Sequence, residues 1–438
     1  MKRVAGLLGF LVLAGLASGQ EKSLDLNDLV RRALERNPGI KSLESSARAA
    51  KFGVGPAGAL PDPVVGLGVM NAGIDRWTVG QAQMSQVVLS VSQSFPFPGK
   101  LRLESEIASS RALQAEQTLG AARLSLVREV KDLYARLFFY QKSLEILGKR
   151  KALLVDALRA SEKKYEVGAG VQADLFRAQV EISGIEKMEV TTNQMVVTTK
   201  ANINELLDLP DESPLGPAGE IPFYALTTDL DTLQRQADKS SPLLKNADLS
   251  VSEGETKVSL AKKEFYPNFM VQVGRGFRGA LPDIYEVMVG VEIPLYQKKK
   301  QANLLEESVS RLSGAKTQRA SIKNGISYMI TDNYTAARAS SDLLVLYKDK
   351  ILPQARFAYE SSLANYPVNR VDFLTLLSDI NNLFTYETEY YRNLSDLWTS
   401  VARLEELTSL DLLSPGGRET PATGGGEGSP PRGAAKAN

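Results

Sequence analysis

From Lys100 to Glu166 the chain runs for 67 residues with no proline and an apolar pattern of helical period. Leu126, Val130, Leu133, Leu137, Tyr140, Leu144 and Leu147 alternate steps of four and three, and Leu154, Leu158 and Tyr165 keep the register. That spacing is a coiled-coil seam. Such a helix is about 100 Å long at 1.5 Å per residue, so it needs another long helix beside it. Val127, Phe138 and Phe139 add apolar surface off the seam, which suits neighbours on more than one side. "YEVGAGVQAD" turns the chain at Gly168 and Gly170, and a second helix follows over 171–209.

Before the long helix the period is two. "PVVGLGVM" places Val65, Leu67 and Val69 on one side. After a polar loop, "QVVLSVSQ" places Val87, Leu89 and Val91 on one side and Val88, Ser90, Ser92 and Ser94 on the other. The two runs predict a hairpin over 63–95 with one apolar and one small or polar face, as in a membrane barrel strand. The border reads Phe95-Pro96-Phe97-Pro98-Gly99. The prolines cannot donate to a sheet ladder, so the strand ends there, and Gly99 lets the backbone turn into the helix. Phe95 and Phe97 suit a lipid–water interface.

The arrangement repeats. At an offset of 198, Pro96 matches Pro294, Asp174 matches Asp372, and Ile182, Ile185, Glu189, Val196, Ile203 and Leu206 match Ile380, Leu383, Glu387, Leu394, Val401 and Leu404. Upstream the offset is 204, with Leu29 matching Leu233 and Pro38 matching Pro242. The expected organisation is a signal peptide at 1–19 and a first repeat at 24–210 comprising a helix to about Phe52, strand pair 63–95, long helix 100–166 and helix 171–209. A linker at 211–228 leads to a second repeat at 229–413, comprising a helix, strand pair 267–294, long helix 298–365 and helix 370–410. A disordered Gly/Pro-rich tail at 414–438 ends the chain. Pro353 lies inside the second long helix and should bend or locally open it.

Composition removes several function classes. Lys plus Arg is 52 and Asp plus Glu 51, which argues against nucleic acid as a partner. Histidine and cysteine are absent, so disulfides, thiolate or imidazole catalysis and the usual zinc ligands are excluded. No phosphate-binding Gly-rich loop ends in Lys-Ser/Thr, so the sequence carries no P-loop for nucleotide hydrolysis. Glu189 and Glu387 sit on repeat-related seams, which favours a structural role over acid–base catalysis. No catalytic, cofactor or metal site is expected. Lys2 and Arg3, the apolar run Val4–Leu16 and Ala17-Ser18-Gly19 read as a cleaved secretory signal. No later run has the ~20 apolar residues of a membrane helix, so a mature protein that enters a membrane does so with strands. Four strands per chain are too few to close a barrel, which implies an oligomer.

"FPFPGKLR", "KKYEVGAGVQADLFRAQVEI" and "ILPQARFAYESSLANYPVNRVDFLTLLSDI" resemble the TolC family of outer-membrane efflux proteins over about Leu24–Leu410. "FPFPGK" is most similar to the outer-membrane subunits of cobalt-zinc-cadmium and copper-silver tripartite pumps. The resemblance implies a mainly α protein with a membrane β-barrel. It would be a homotrimer sharing a twelve-stranded barrel, with a helical barrel across the periplasm. The channel would dock on a periplasmic adaptor and an inner-membrane transporter, or on a secretion ATPase complex. It also makes the turns at Tyr165, Val167, Gly168 and Gly170 and at Tyr366 and Pro367 the adaptor contacts. The chain departs from the family in having no lipidated cysteine, no glycine in its "LANYPVN" turn, and no Met or His cluster.

Charge at both turns points to a periplasmic gate of Asp174, Arg177, Arg370 and Asp372, since acids repeated around a trimer axis repel one another. The competing role for Asp174 and Asp372 is N-capping of the helices they open. A soluble exported coiled-coil scaffold or a periplasmic adaptor is the alternative reading. Two alternating hairpins at matched positions tell against the scaffold, and two copies of the long helical pair, where an adaptor would have one helical hairpin in a β-rich sequence, tell against the adaptor.

Overall fold

The structure is a computed structural model that describes residues 23–73 and 76–413; the leader at 1–19 and the tail at 414–438 lie outside the described residues. The chain is mainly helical with one sheet. In order it forms α1 (Leu26–Arg36), α2 (Pro38–Phe52), α3 (Val54–Gly58), β1 (Val64–Met70), β2 (Gln86–Phe95), α4 (Lys100–Glu166), α5 (Gln172–Leu206), α6 (Leu230–Ser240), α7 (Pro242–Lys263), β3 (Asn268–Phe277), β4 (Ile284–Glu292), α8 (Gln301–Leu346), α9 (Leu352–Asn365) and α10 (Phe373–Thr408). The single helix expected up to Phe52 is two. Asn37 is extended ahead of Pro38, and its Oδ1 accepts from the Ile40 N–H at 3.2 Å, so α2 starts afresh with proline in its first turn. Ser241-Pro242 makes the same break in the second repeat.

The chain forms two compact units, and each repeat contributes to both. One holds Leu133–Phe223, Leu346–Ser395 and the described residues up to Arg31. Its core joins Ile146, Leu154 and Ala157 of α4 to Ala178 and Ile185 of α5, Tyr366, and Phe373, Leu376, Ile380 and Phe384 of α10. Tyr165, nominally on the α4 seam, is 48% exposed. It lies in the last turn of α4, just before the tip turn. Glu189 pairs with Lys151 at 3.3 Å and Glu387 with Arg356 at 3.3 Å. Both repeat-related acids thus answer a cation on another helix of this unit.

Between α8 and α9, Tyr347–Ile351 form a π-helical turn in which the Leu352 N–H reaches Tyr347 O. Pro353 follows at once, and proline can neither donate to the carbonyl four residues back nor pack against it. The wider turn relieves that clash. The Tyr347 hydroxyl donates to Glu389 Oε2 at 2.5 Å, and that carboxylate pushes the phenol up to about 12.

The second unit comprises Arg32–Asp132, Tyr224–Val345 and the described residues from Asp396 on. It holds the sheet, in the order β1-β2-β3-β4, antiparallel throughout. The two hairpins join through β2 and β3. A helical core joins Leu233 and Ala237 of α6 to Leu244 of α7, Ile326 and Ile330 of α8 and Leu404 and Leu407 of α10. Glu405, 6% exposed, lies among this packing. It accepts from Lys131 Nζ at 2.5 Å and from the Leu412 and Leu413 N–H groups at 2.7 and 2.9 Å, tying the segment after α10 back onto the unit.

Candidate functional site

The sheet's register sorts its side chains into two rows. Directly paired residues share a face, so Val65, Val91, Val273 and Val287 stand side by side, as do Val271 with Val289 and Phe269 with Val291. Every valine of this row in β1 and β4 is exposed: Val65 by 67%, Val287 by 72% and Val289 by 68%. The opposite face carries Gly66, Ser90, Ser92, Gln272, Gly274, Gly290 and Glu292. Phe95 and Phe269 end the apolar row on one side, and Phe277 and Tyr285 on the other. Phe269 to Phe277 spans about 26 Å along the strand at 3.3 Å per residue. With a tilt of roughly 40° the band is ~20 Å high, close to the ~25 Å apolar belt between aromatic girdles of a membrane barrel. The cation on this face, Arg275, is at its loop end. It pairs with Asp283 at 2.7 Å and lies 4.9 Å from the centroid of Phe277 and 5.8 Å from that of Tyr285.

The strand-to-helix border is built, not merely turned. Gly99 has φ of +91°, the left-handed region where a side chain is strained, and a Cβ there would lie 3.3 Å from the Lys263 side chain. Lys100, 3% exposed, donates to Glu264 Oε2 and Asn268 Oδ1, both at 3.1 Å. Asn268 Oδ1 also accepts the Phe97 N–H at 3.1 Å, and its Nδ2 donates to Glu292 at 3.1 Å. Phe97 stacks on Tyr266 at 4.5 Å, with Lys263 Nζ 5.3 Å above its ring and donating to Pro98 O at 3.2 Å. Lys100, Lys263, Glu264, Tyr266 and Asn268 were not singled out by sequence reasoning. The "YPN" opening β3, a proline before a strand like those after β2, was the available signal.

The two tip turns meet in the other unit, and they are the same motif. After α4, the Ala169 N–H bonds Lys164 O and the Gly168 N–H bonds Tyr165 O; after α9, the Arg370 N–H bonds Asn365 O and the Asn369 N–H bonds Tyr366 O. Each is a Schellman cap with a left-handed residue, Gly168 at φ +73° and Asn369 at φ +60°. Asparagine therefore takes the glycine's part in the second turn. Gly170 is small for another reason: a Cβ there would lie 3.0 Å from Tyr165 N and 3.1 Å from Lys164 Cβ. Lys164 joins the turns. Its Nζ donates to Tyr366 O at 2.5 Å and to Asn369 Oδ1 at 2.6 Å, and lies 3.9 Å from the Tyr366 ring centroid. Tyr366 is 4% exposed, its hydroxyl shares a 2.8 Å bond with Ser161 Oγ, and burial pushes the phenol up.

Asp174 and Asp372 share an offset but not an environment. Asp372 Oδ1 accepts the Thr375 N–H at 2.7 Å, the N-cap geometry, and the Thr375 hydroxyl and N–H hold its carboxyl below the usual range. Asp174 lies inside α5, whose cap position is Val171, and pairs with Arg177 at 3.1 Å. Arg370 is exposed and makes no ion pair among the described residues. Val167, Val171 and Val368 stand 77%, 59% and 62% exposed around the turns, beside exposed Pro367. Asn369→Ala should destabilise the protein by about 1–2 kcal/mol, since it keeps a Cβ in the left-handed region and loses the Lys164 contact, and Asn369→Gly should cost less, because it loses the contact but relieves the strain. Urea unfolding followed by helical circular dichroism reads both.

The family model described as outer membrane efflux protein matches residues 29–208, the first repeat. The chain is 20% identical over 435 residues to the outer membrane protein TolC of Vibrio cholerae, covering 94% of this chain and 98% of that one. Among solved structures, VceC of Vibrio cholerae superposes with a TM-score of 0.75 at 17% identity, over 87% of this chain and 95% of its own. CusC gives 0.75 at 14% identity over 89% and 93%, and CmeC of Campylobacter jejuni gives 0.72 at 14% over 87% and 85%.

Proposed function

We propose that three copies of this chain form an outer-membrane efflux channel, each giving four strands to a shared twelve-stranded barrel. The observation that carries this is the sheet, with an apolar, exposed face and two edges, β1 and β4, that no strand of the chain pairs among the described residues. Open edges are templates for further strands, and ~8 strands is the practical minimum for closure. Joining β4 of one copy to β1 of the next satisfies both. The apolar row then meets lipid, and Ser90, Gln272 and Glu292 line the lumen. A soluble scaffold would leave that row in water. The channel lies in the outer membrane with a long periplasmic helical part, conducts passively, and takes its energy from an inner-membrane transporter through an adaptor. Native mass with single-channel conductance in a planar bilayer tests the reading: a stable monomer without conductance would sink it.

The exposed valines and Pro367 at the tip turns support adaptor docking there, and "FPFPGKLR" supports a heavy-metal pump as the partner. Arg370 supports a gate. With no carboxylate partner in its own chain among the described residues, it is available to a neighbouring copy. One exposed pair is worth only ~0–1 kcal/mol, but three acting together at a constriction bias an opening equilibrium by a few kcal/mol. Arg370→Ser should therefore raise single-channel conductance. Asp372→Asn should be nearly silent, because asparagine caps as well as aspartate. Asp174→Asn should release Arg177 and shift conductance. Unchanged conductance in all three, with the trimer intact, would place the gate elsewhere.

A further inference from the structure

The two repeats treat the membrane border differently. At the first junction, Lys100 is buried against Glu264 and Asn268, and Lys263 of the second repeat is held over Phe97, so both cations have partners within the chain. In the second, Pro294 leads into Leu295, Tyr296, Gln297 and three consecutive lysines, Lys298, Lys299 and Lys300, all exposed. None of the three makes an ion pair among the described residues. Residues 293–305 contain no aspartate or glutamate. Beside the lysines, Ile293, Leu295 and Tyr296 stand 62%, 78% and 77% exposed, and Ile293 continues the apolar row of Val287, Val289 and Val291. Local folding does not account for the charge, since cations just before α8 oppose its dipole. Apolar and aromatic side chains followed at once by unpaired lysines match the order of a bilayer interface: acyl chain, carbonyl belt, phosphate.

We propose that Ile293–Lys300 is a binding surface for anionic phospholipid headgroups on the helix side of the barrel, with Leu295 and Tyr296 seated in the interface and Lys298, Lys299 and Lys300 on the lipid phosphates. The proposal rests on the channel reading above, which supplies the membrane plane. Each lysine near an anionic surface is worth about fivefold in local lipid enrichment at low salt.

The test reconstitutes the full chain into phosphatidylcholine vesicles containing a tenth part of phosphatidylglycerol, and measures by native mass spectrometry the lipid that stays with the protein. The native chain should retain phosphatidylglycerol severalfold above its bulk share. Raising the salt from 0.05 to 0.5 M during extraction should erase the excess, and 10 mM inorganic phosphate should not, which separates a bilayer headgroup from a free anion. K298Q/K299Q/K300Q should return the ratio to bulk, K299Q alone should lower it, and K298R/K299R/K300R should keep it. Normal insertion of the native chain with no excess, or an excess that survives high salt, would overturn this proposal alone. Failure of the native chain to insert into any vesicle would overturn the channel reading and this proposal with it.

Discussion

Val287→Arg is expected to abolish stable insertion of the channel, while Met288→Arg, one residue along the same strand, is not. Val287 stands midway along the apolar row, paired with Val273 and 72% exposed. An arginine on the lipid face at the bilayer midplane costs about 2–4 kcal/mol per chain. Three copies make that roughly 6–12 kcal/mol per trimer, as large as the whole stability of an ordinary domain. Met288 lies on the other face, paired with Gln272, and in the proposed barrel that face meets water, so its arginine would remain solvated. The native Arg275 shows where the apolar face accepts a cation: at its loop end, paired with Asp283 and flanked by Phe277 and Tyr285. The measurement is the fraction of each variant recovered as membrane-embedded trimer, with conductance on what inserts. Loss of Met288→Arg together with survival of Val287→Arg would mean that the faces are inverted.

The two faces were legible because a period of two survives in a four-stranded sheet whatever its neighbours do. "QVVLSVSQ" already separated Val87, Leu89 and Val91 from Val88, Ser90 and Ser92, and the cross-strand register keeps them apart. The long helices were legible from the steps of four and three. The break at Asn37 was not, because a proline at a helix's first turn leaves the apolar spacing on either side undisturbed. At the tips, the shared offset of Asp174 and Asp372 suggested one role for both. The first turn has six steps from its left-handed Gly168 to the acid, and the second only three from Asn369, so one acid caps and the other does not. Asn369 is hard to see in the sequence because asparagine, and not glycine, fills the left-handed position of its turn. The border cluster was hidden for a different reason. Lys100 and Asn268 are 168 residues apart in sequence, and no local pattern joins them.

Glu405 is the extreme case of that invisibility, and the last expected result concerns it. Glu405→Ala should destabilise the protein by about 3–5 kcal/mol. In "RLEELT" it looks like a solvated helix glutamate, yet its partner Lys131 is 274 residues away and its side chain is 7% exposed. Removing it strands a lysine that is 13% exposed and leaves two backbone N–H groups, of Leu412 and Leu413, without their acceptor. Breaking one side of a buried pair costs several kcal/mol, much of it from the charge left behind. The charge and hydrogen-bond parts can be separated. Glu405→Gln keeps the oxygen that accepts both N–H groups but leaves Lys131 uncompensated, so it should cost about half as much. Lys131→Met combined with Glu405→Gln removes both charges and should return to within ~1 kcal/mol of the native protein. Urea midpoints of the four proteins at neutral pH decide it. A cost below 1 kcal/mol for Glu405→Ala would show that the segment after α10 is held by something other than this carboxylate.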